Sequence, residues 1–293
     1  MSNVTKERKA FFKKIRGAET EGAEMSFIDH LEVLRWHLFR SAIVLIVVAI
    51  GVFFYVDWIF DNIIFAPAKK DFITYSGLCN LSHNLHLGDA LCMPPVDIQL
   101  QGNTVSGPFM SAISIAFMGA IIIAFPYLLW ELWRFVKPAL SSKEISYAKG
   151  SIGWVSLCFF TGAAFGYYLL APFTFNFLAN FQLGNLGVYK YMPTLDDYID
   201  TLTSLILGCG IAFELPILAY VLSKLGLITP AFLKNYRKYA YIVILIVAAV
   251  ITPSPDWTSQ TIVAVPLIIL YEISIFISKR VDKQRIKAEA EWD

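Results

Sequence analysis

Residues 109–130 read FMSAISIAFMGAIIIAFPYLLW, twenty-two positions without a charge. A hydrocarbon layer about 30 Å thick is crossed by about 20 helical residues, so this stretch is long enough to span a bilayer. Outward from it, residues 36–56, 152–171 and 202–222 repeat the pattern, and two shorter apolar stretches follow at 239–251 and 262–277. The reading is an all-α polytopic membrane protein with six transmembrane helices, a kinked bundle whose helices five and six are short. Short spans imply a locally thinned bilayer or helices extended by polar ends, with a re-entrant hairpin as the rival arrangement.

Composition agrees with this class. Of 293 residues, 57% are hydrophobic and 16% charged, against roughly 25% charged in soluble domains, and the mean hydropathy is +0.58. A net charge of +1 gives no global basic field for nucleic acid. The charges are nonetheless partitioned. Lys and Arg number 8 up to Arg40, 4 between spans two and three, 4 between four and five and 5 after six, against 2, 1 and 0 in the alternate loops. Because cytoplasmic loops carry the excess of Lys and Arg, 21 of 24 fall on one side and both termini are predicted inside. Residues 1–24 form a basic cytoplasmic tail without an apolar core or cleavage site, so the first span is predicted to be retained as an anchor. Residues 25–279 form the membrane domain, with an outer loop at 57–108, and residues 280–293 form a cytoplasmic tail.

Local signals place the candidate residues. Thr229-Pro230 and Thr194 with Asp197 read as helix starts, and a helix running on from Pro230 to Ile251 would cover about 33 Å, enough to cross. Before the first span, Phe27, Leu31 and Leu34 recur at helical spacing, with Asp29, His30, Glu32 and Arg35 on the remainder, an amphipathic lead-in. Ser141 and Glu144 have capping-box spacing, and the Glu144 carboxylate is also placed to receive a guanidinium near Phe135. Glu214, in Ala-Phe-Glu-Leu-Pro, lies inside span four, where an ionisable group is costly enough that function is the default reading. Pro216 is predicted to kink that span, and Pro126 and Pro266 to distort spans two and six. Asp256 and Gln260 stand four apart at the start of helix six. In the outer loop Cys79 and Cys92 read as a disulfide, as part of a Cys2His2 site with His83 and His86, or as free thiols. No G-x-S-x-G, H-E-x-x-H or Walker loop is present, so no enzyme or bound cofactor is predicted.

Taken together, His30-Leu-Glu-Val-Leu-Arg, Ala66-Pro67, Gly107-Pro-Phe, Trp133-Arg-Phe-Val-Lys-Pro-Ala-Leu with Glu144, Phe213-Glu-Leu-Pro, Thr252-Pro-Ser-Pro-Asp-Trp-Thr-Ser-Gln, Pro266 and Glu272 closely resemble the TatC family of the twin-arginine protein translocase. The resemblance implies a receptor in the bacterial inner membrane that binds paired arginines in signal peptides of folded precursors at its cytoplasmic face. It also implies assembly with single-span TatA- and TatB-like partners into a multimeric complex driven by the proton gradient. Arg35, Phe135 and Glu144 match the recognition positions, with Pro67 as a structural position. The family usually carries Glu two residues before that Arg, where this chain has Val33, with Glu32 one step earlier, about 100° around a helix. Glu214, with Gln260 and Asp256, is the implied polar docking site for partner helices. A small-solute or ion transporter using Glu214 is the rival reading, motivated by a carboxyl beside a helix break.

Overall fold

The computed structural model describes residues 27–69, 71–86, 88–89, 92, 98–137, 151–180, 192–224, 226, 228–252 and 257–290. The basic tail 1–24, the Ser141–Glu144 box, Asp256 and the last three residues lie outside them.

The described residues are helical, with one isolated parallel bridge, Gln101 to Thr194, and no strand. Helix α1 is Phe27–Phe54, α2 Ile73–Asn84, α3 Gly107–Val136, α4 Ser151–Phe165, α5 Ala171–Asn180, α6 Leu195–Ala212, α7 Leu215–Lys224, α8 Pro230–Asn235, α9 Arg237–Ile251 and α10 Trp257–Ala290. Five stretches are long and apolar enough to cross a membrane: Leu31–Phe54, Gly107–Val136, Ile152–Asn180, Leu195–Lys224 and Gln260–Gln284. Four of them contain a span read from the sequence and extend beyond it, because a helix does not end where its apolar residues do; the first starts earlier than the predicted 36–56 span but ends at Phe54, two residues short of it. Thr194 and Thr229 both accept a backbone N–H three residues on, from Asp197 and Phe232, as their spacing predicts.

Three expectations are corrected. The sixth helix is not short: its 34 residues carry the apolar 262–277 stretch and continue as a polar helix past residue 279. The fifth is not one helix from Pro230 to Ile251, because it divides at Tyr236, where backbone angles of φ −92° and ψ 9° leave the helical range. The Tyr271 hydroxyl donates to the Leu233 carbonyl at 2.8 Å, the acceptor that Arg237 N–H would use in an unbroken helix. What remains, α9, has 15 residues, about 22 Å of helix. Finally, prolines do not act alike. The chain leaves the helix at Phe213–Glu214, just before Pro216, whereas α3 and α10 run without interruption through Pro126 and Pro266.

Helices can be forced together in lipid only by close fit, since lipid tails are as apolar as leucine. Helix α4 and the π-helical turn Gly166–Leu170 that continues it meet that condition against α6 through Gly162 and Gly166, about one turn apart. A Cβ on either would lie 2.5 Å from a backbone oxygen of α6, that of Cys209 or of Leu205. The centre of the bundle is formed around this contact by Phe159, Leu202, Leu205, Cys209, Ala248 and Leu267. At one end of the bundle, polar side chains hold the irregular connections. The Tyr198 hydroxyl donates to Ile64 O at 2.6 Å, and Tyr75 donates to Pro67 O at 3.1 Å. Burial pushes the Tyr75 hydroxyl up to about 12, so it remains a donor at any ordinary pH. Pro67 is fully buried in the short turn Ala66–Ala68. Cys79 on α2 and Cys92 are joined as a disulfide with Cα atoms 4.3 Å apart.

Gly166→Ala puts a methyl against the α6 backbone, and overpacking of this kind costs about 1–3 kcal/mol. Thermal unfolding of the detergent-purified protein is expected to show the loss for Gly166→Ala and not for Gly153→Ala, where a Cβ would meet nothing within 4 Å.

Candidate functional site

The amphipathic start of α1 and the C-terminal end of α3 are fixed to one another by a buried carboxylate. Glu131, with 2% of its side chain exposed, accepts from His37 Nδ1 and from the Tyr127 hydroxyl at 2.9 Å. Arg134 stands 3.8 Å from the same carboxylate. Tyr127 and Glu131 are four apart, so one face of α3 presents both groups to α1. A carboxylate ringed by three donors is held in one orientation, and the His37–Glu131 pair sets the spacing of α1 and α3 at this end.

Phe135 extends from that anchor. It lies one turn beyond Glu131, and its ring meets His37 edge-on, centroids 6.3 Å apart. On α1, Glu32 and Arg35 face solvent, with side chains 65% and 72% exposed and charges 3.9 Å apart. Val33, by contrast, is half-buried on the face that continues to His37. Glu32 therefore does not occupy the direction of position 33, as the 100° step per residue requires. Among the sequence-predicted recognition residues, Glu32, Arg35 and Phe135 are carried by the joined ends of α1 and α3, while Glu144 is outside the described residues.

Glu214 stands at the break between α6 and α7. Neither carboxyl oxygen reaches a hydrogen-bond partner among the described residues although both are buried; the Phe159 backbone comes near without hydrogen-bond geometry. Gln260 is used differently, its amide donating to Leu245 O at 2.9 Å and so tying the start of α10 to α9. At the other end of this helix pair Glu272 accepts from Arg237 at 2.5 Å and from the Tyr241 hydroxyl at 2.6 Å.

The comparisons with known proteins bear on these positions. The family model of the Sec-independent protein translocase protein TatC matches residues 29–266. The chain belongs to the TatC family. A TatC from Blattabacterium sp. subsp. Periplaneta americana is 38% identical over 268 residues, 91% of this chain and 100% of its own. One from Carboxydothermus hydrogenoformans is 34% identical over 269 residues, covering 92% of this chain and 99% of its own. A crystal structure of the twin-arginine translocase receptor TatC in DDM superposes with a TM-score of 0.68 at 31% identity, over 85% of this chain and 99% of that one. TatC membership makes this a polytopic membrane component of a protein translocase, and it leaves the transporter reading of Glu214 without support.

Several residues that join the helices are not among the sequence candidates: His37, Tyr127 and Glu131 at one end, with Arg134, and Arg237 and Tyr241 at the other, with Glu272; Arg134 and Glu272 enter from the sequence only within the motifs of the resemblance. Glu131 stands one place beyond the apolar stretch 109–130. The usable signal was a charge set between Trp130 and Leu132, four residues after a tyrosine.

Glu131→Ala leaves His37 and Tyr127 without their acceptor, which costs about 1–3 kcal/mol for buried polar groups. Glu131→Gln keeps an acceptor for Tyr127 and is expected to lose less. Unfolding midpoints of the two variants in detergent check the order.

Proposed function

We propose that this chain is the signal-peptide receptor and core subunit of a twin-arginine translocase in a bacterial inner membrane. It spans the bilayer six times with both termini in the cytoplasm. Support for the receptor role rests on one observation: the buried His37–Glu131 pair ties the end of α3 that carries Phe135 to the start of α1 that carries the exposed Glu32 and Arg35. Crystal structures bearing the name twin-arginine translocase receptor share the fold. In this reading Glu144, with Glu32 as a second acceptor, receives the signal arginines through charge-assisted bonds, and Phe135 packs beside them. Lys brings the charge but not the planar fork of five donors, so twin-lysine signals bind less well.

The fifth crossing, which completes the six, is assigned to α8 and α9 together. Their polar start holds Lys234, Arg237 and Lys238 on the side where the other basic loops gather. With α9 only about 22 Å long, the bilayer beside it thins, which suits a path for folded cargo. Glu214, with Gln260 and Asp256, receives a single-span partner helix of the TatA or TatB kind. The proton gradient supplies the driving force. In the oxidising outer compartment the Cys79–Cys92 bond closes the cap of the first loop.

A photocrosslinker at Phe135 is expected to capture a twin-arginine precursor and to lose most of that product when both arginines become lysine. Equal capture of the two signals would overturn the assignment. Glu144→Lys reverses the proposed acceptor charge and is expected to stop export of folded cargo while the protein still inserts, read by cargo fractionation and by membrane content of the variant.

A further inference from the structure

The outer cap holds a second constellation that the receptor role does not use. Cys79 and His83 are four apart on α2, so their side chains rise from one helix face. Asp89 and Cys92 are three apart on the turn that follows, closed by the Cys92 N–H donating to Asp89 O at 3.0 Å. The turn is folded onto the helix by Ser82, whose hydroxyl donates to Gly88 O at 2.6 Å. The two pairs therefore meet face to face: one ligand-type atom from each of Cys79, His83, Asp89 and Cys92 lies within 4.8 Å of all the others. His83 Nε2 and Asp89 Oδ1 are already 3.0 Å apart. Two sulfurs, one imidazole nitrogen and one carboxylate oxygen on two short rigid frames are a donor set for tetrahedral zinc, with metal–ligand lengths of about 2.0–2.3 Å.

We propose that, when the Cys79–Cys92 disulfide is reduced, these four side chains bind one zinc ion, so that the cap has two alternative clasps. The two states exclude each other, since the sulfur atoms that bond to one another in the disulfide are the metal's ligands in the reduced chain. A dithiol gives the sulfurs two electrons and two protons and itself becomes a disulfide, whereas a phosphine gives the two electrons and becomes the phosphine oxide, a water molecule supplying its oxygen and the two protons; zinc binding then displaces the two thiol protons. His83 and Asp89 give the reduced pair a selectivity that two thiols alone lack, because a two-sulfur site leaves half the tetrahedron to water. His86, close in sequence, is not in the group; it sits in a left-handed backbone conformation, φ 56°, past the end of α2. The sequence-level alternative of two cysteines with His83 and His86 thus becomes two cysteines with His83 and Asp89.

The test uses the full chain in detergent, treated with a phosphine reductant and titrated with cobalt(II) as the spectroscopic probe, then with zinc. Cys158→Ser and Cys209→Ser are built into the background so that only the cap thiols respond. The expected result is one cobalt per chain, with tetrahedral visible bands and a thiolate charge-transfer band. Zinc abolishes both, and the unreduced chain shows neither. Cys92→Ser is expected to remove the charge-transfer band of a two-thiolate site, and His83→Ala and Asp89→Ala to weaken binding at least about tenfold, with His86→Ala unchanged. Any of three results overturns the proposal: no tetrahedral spectrum in the reduced chain, full affinity in the His83→Ala, Asp89→Ala double variant, or a loss in His86→Ala equal to that in His83→Ala. Circular dichroism of each variant separates lost ligation from lost folding.

Discussion

Inside a bilayer a polar group has no water to turn to, and this constraint orders the whole molecule. Buried and half-buried polar side chains are joined in small sets. His37, Tyr127 and Arg134 surround Glu131, Arg237 and Tyr241 share Glu272, and Ser223 donates to Ser278 across α7 and α10 at 2.7 Å. Each set joins helices distant in sequence, so the requirement of satisfaction acts as a specification of which helices are neighbours. Close packing then completes what the polar sets begin, as at Gly162 and Gly166, where contact with α6 leaves no room for a side chain.

The polar sets also explain which breaks the chain accepts. Tyr271 takes the Leu233 carbonyl, and the helix divides at Tyr236 while Tyr236 N–H and Ala240 N–H keep their acceptors four residues back, at 3.1 and 2.9 Å. The division costs little backbone bonding and turns Arg237 and Tyr241 toward Glu272. Pro126 and Pro266 each lack one N–H, yet their helices continue, since a lost bond in a well-packed span does not by itself end it.

Much of the architecture was legible because lipid imposes a length and a polarity that sequence displays directly. The uncharged stretch at 109–130 required a spanning helix, and the caps at Thr194 and Thr229 were visible as spacing. What was not legible depended on partners far along the chain. Nothing near Tyr236 announces a break, since its cause, Tyr271, is 35 positions away. Nothing near His37 announces its carboxylate, 94 residues on. Glu214 could be singled out because a lone carboxyl among apolar neighbours is visible locally, whereas Glu131 was hidden by standing at the margin of its span. The shape of the cap was likewise beyond spacing: Cys79 and Cys92 could be paired on paper, but only the folded turn brings in Asp89 and excludes His86.

Among the described residues the rule of satisfaction is broken at Ser156 Oγ, at Arg237 Nε and at both carboxyl oxygens of Glu214, and the surroundings of Glu214 sharpen the point. Pro216 has no N–H, so the Ala212 carbonyl, four residues earlier, loses its usual helical donor. The Glu214 N–H reaches back only three residues, to Ile211 O at 3.1 Å. Among the described residues, one turn within the Leu195–Lys224 stretch therefore offers a buried carboxyl without a hydrogen-bond partner beside a backbone short of a donor. A helix from outside the chain that brought a hydroxyl, amide or protonated group to this turn would remove both deficits together, which is why the single-span partner is proposed to dock there.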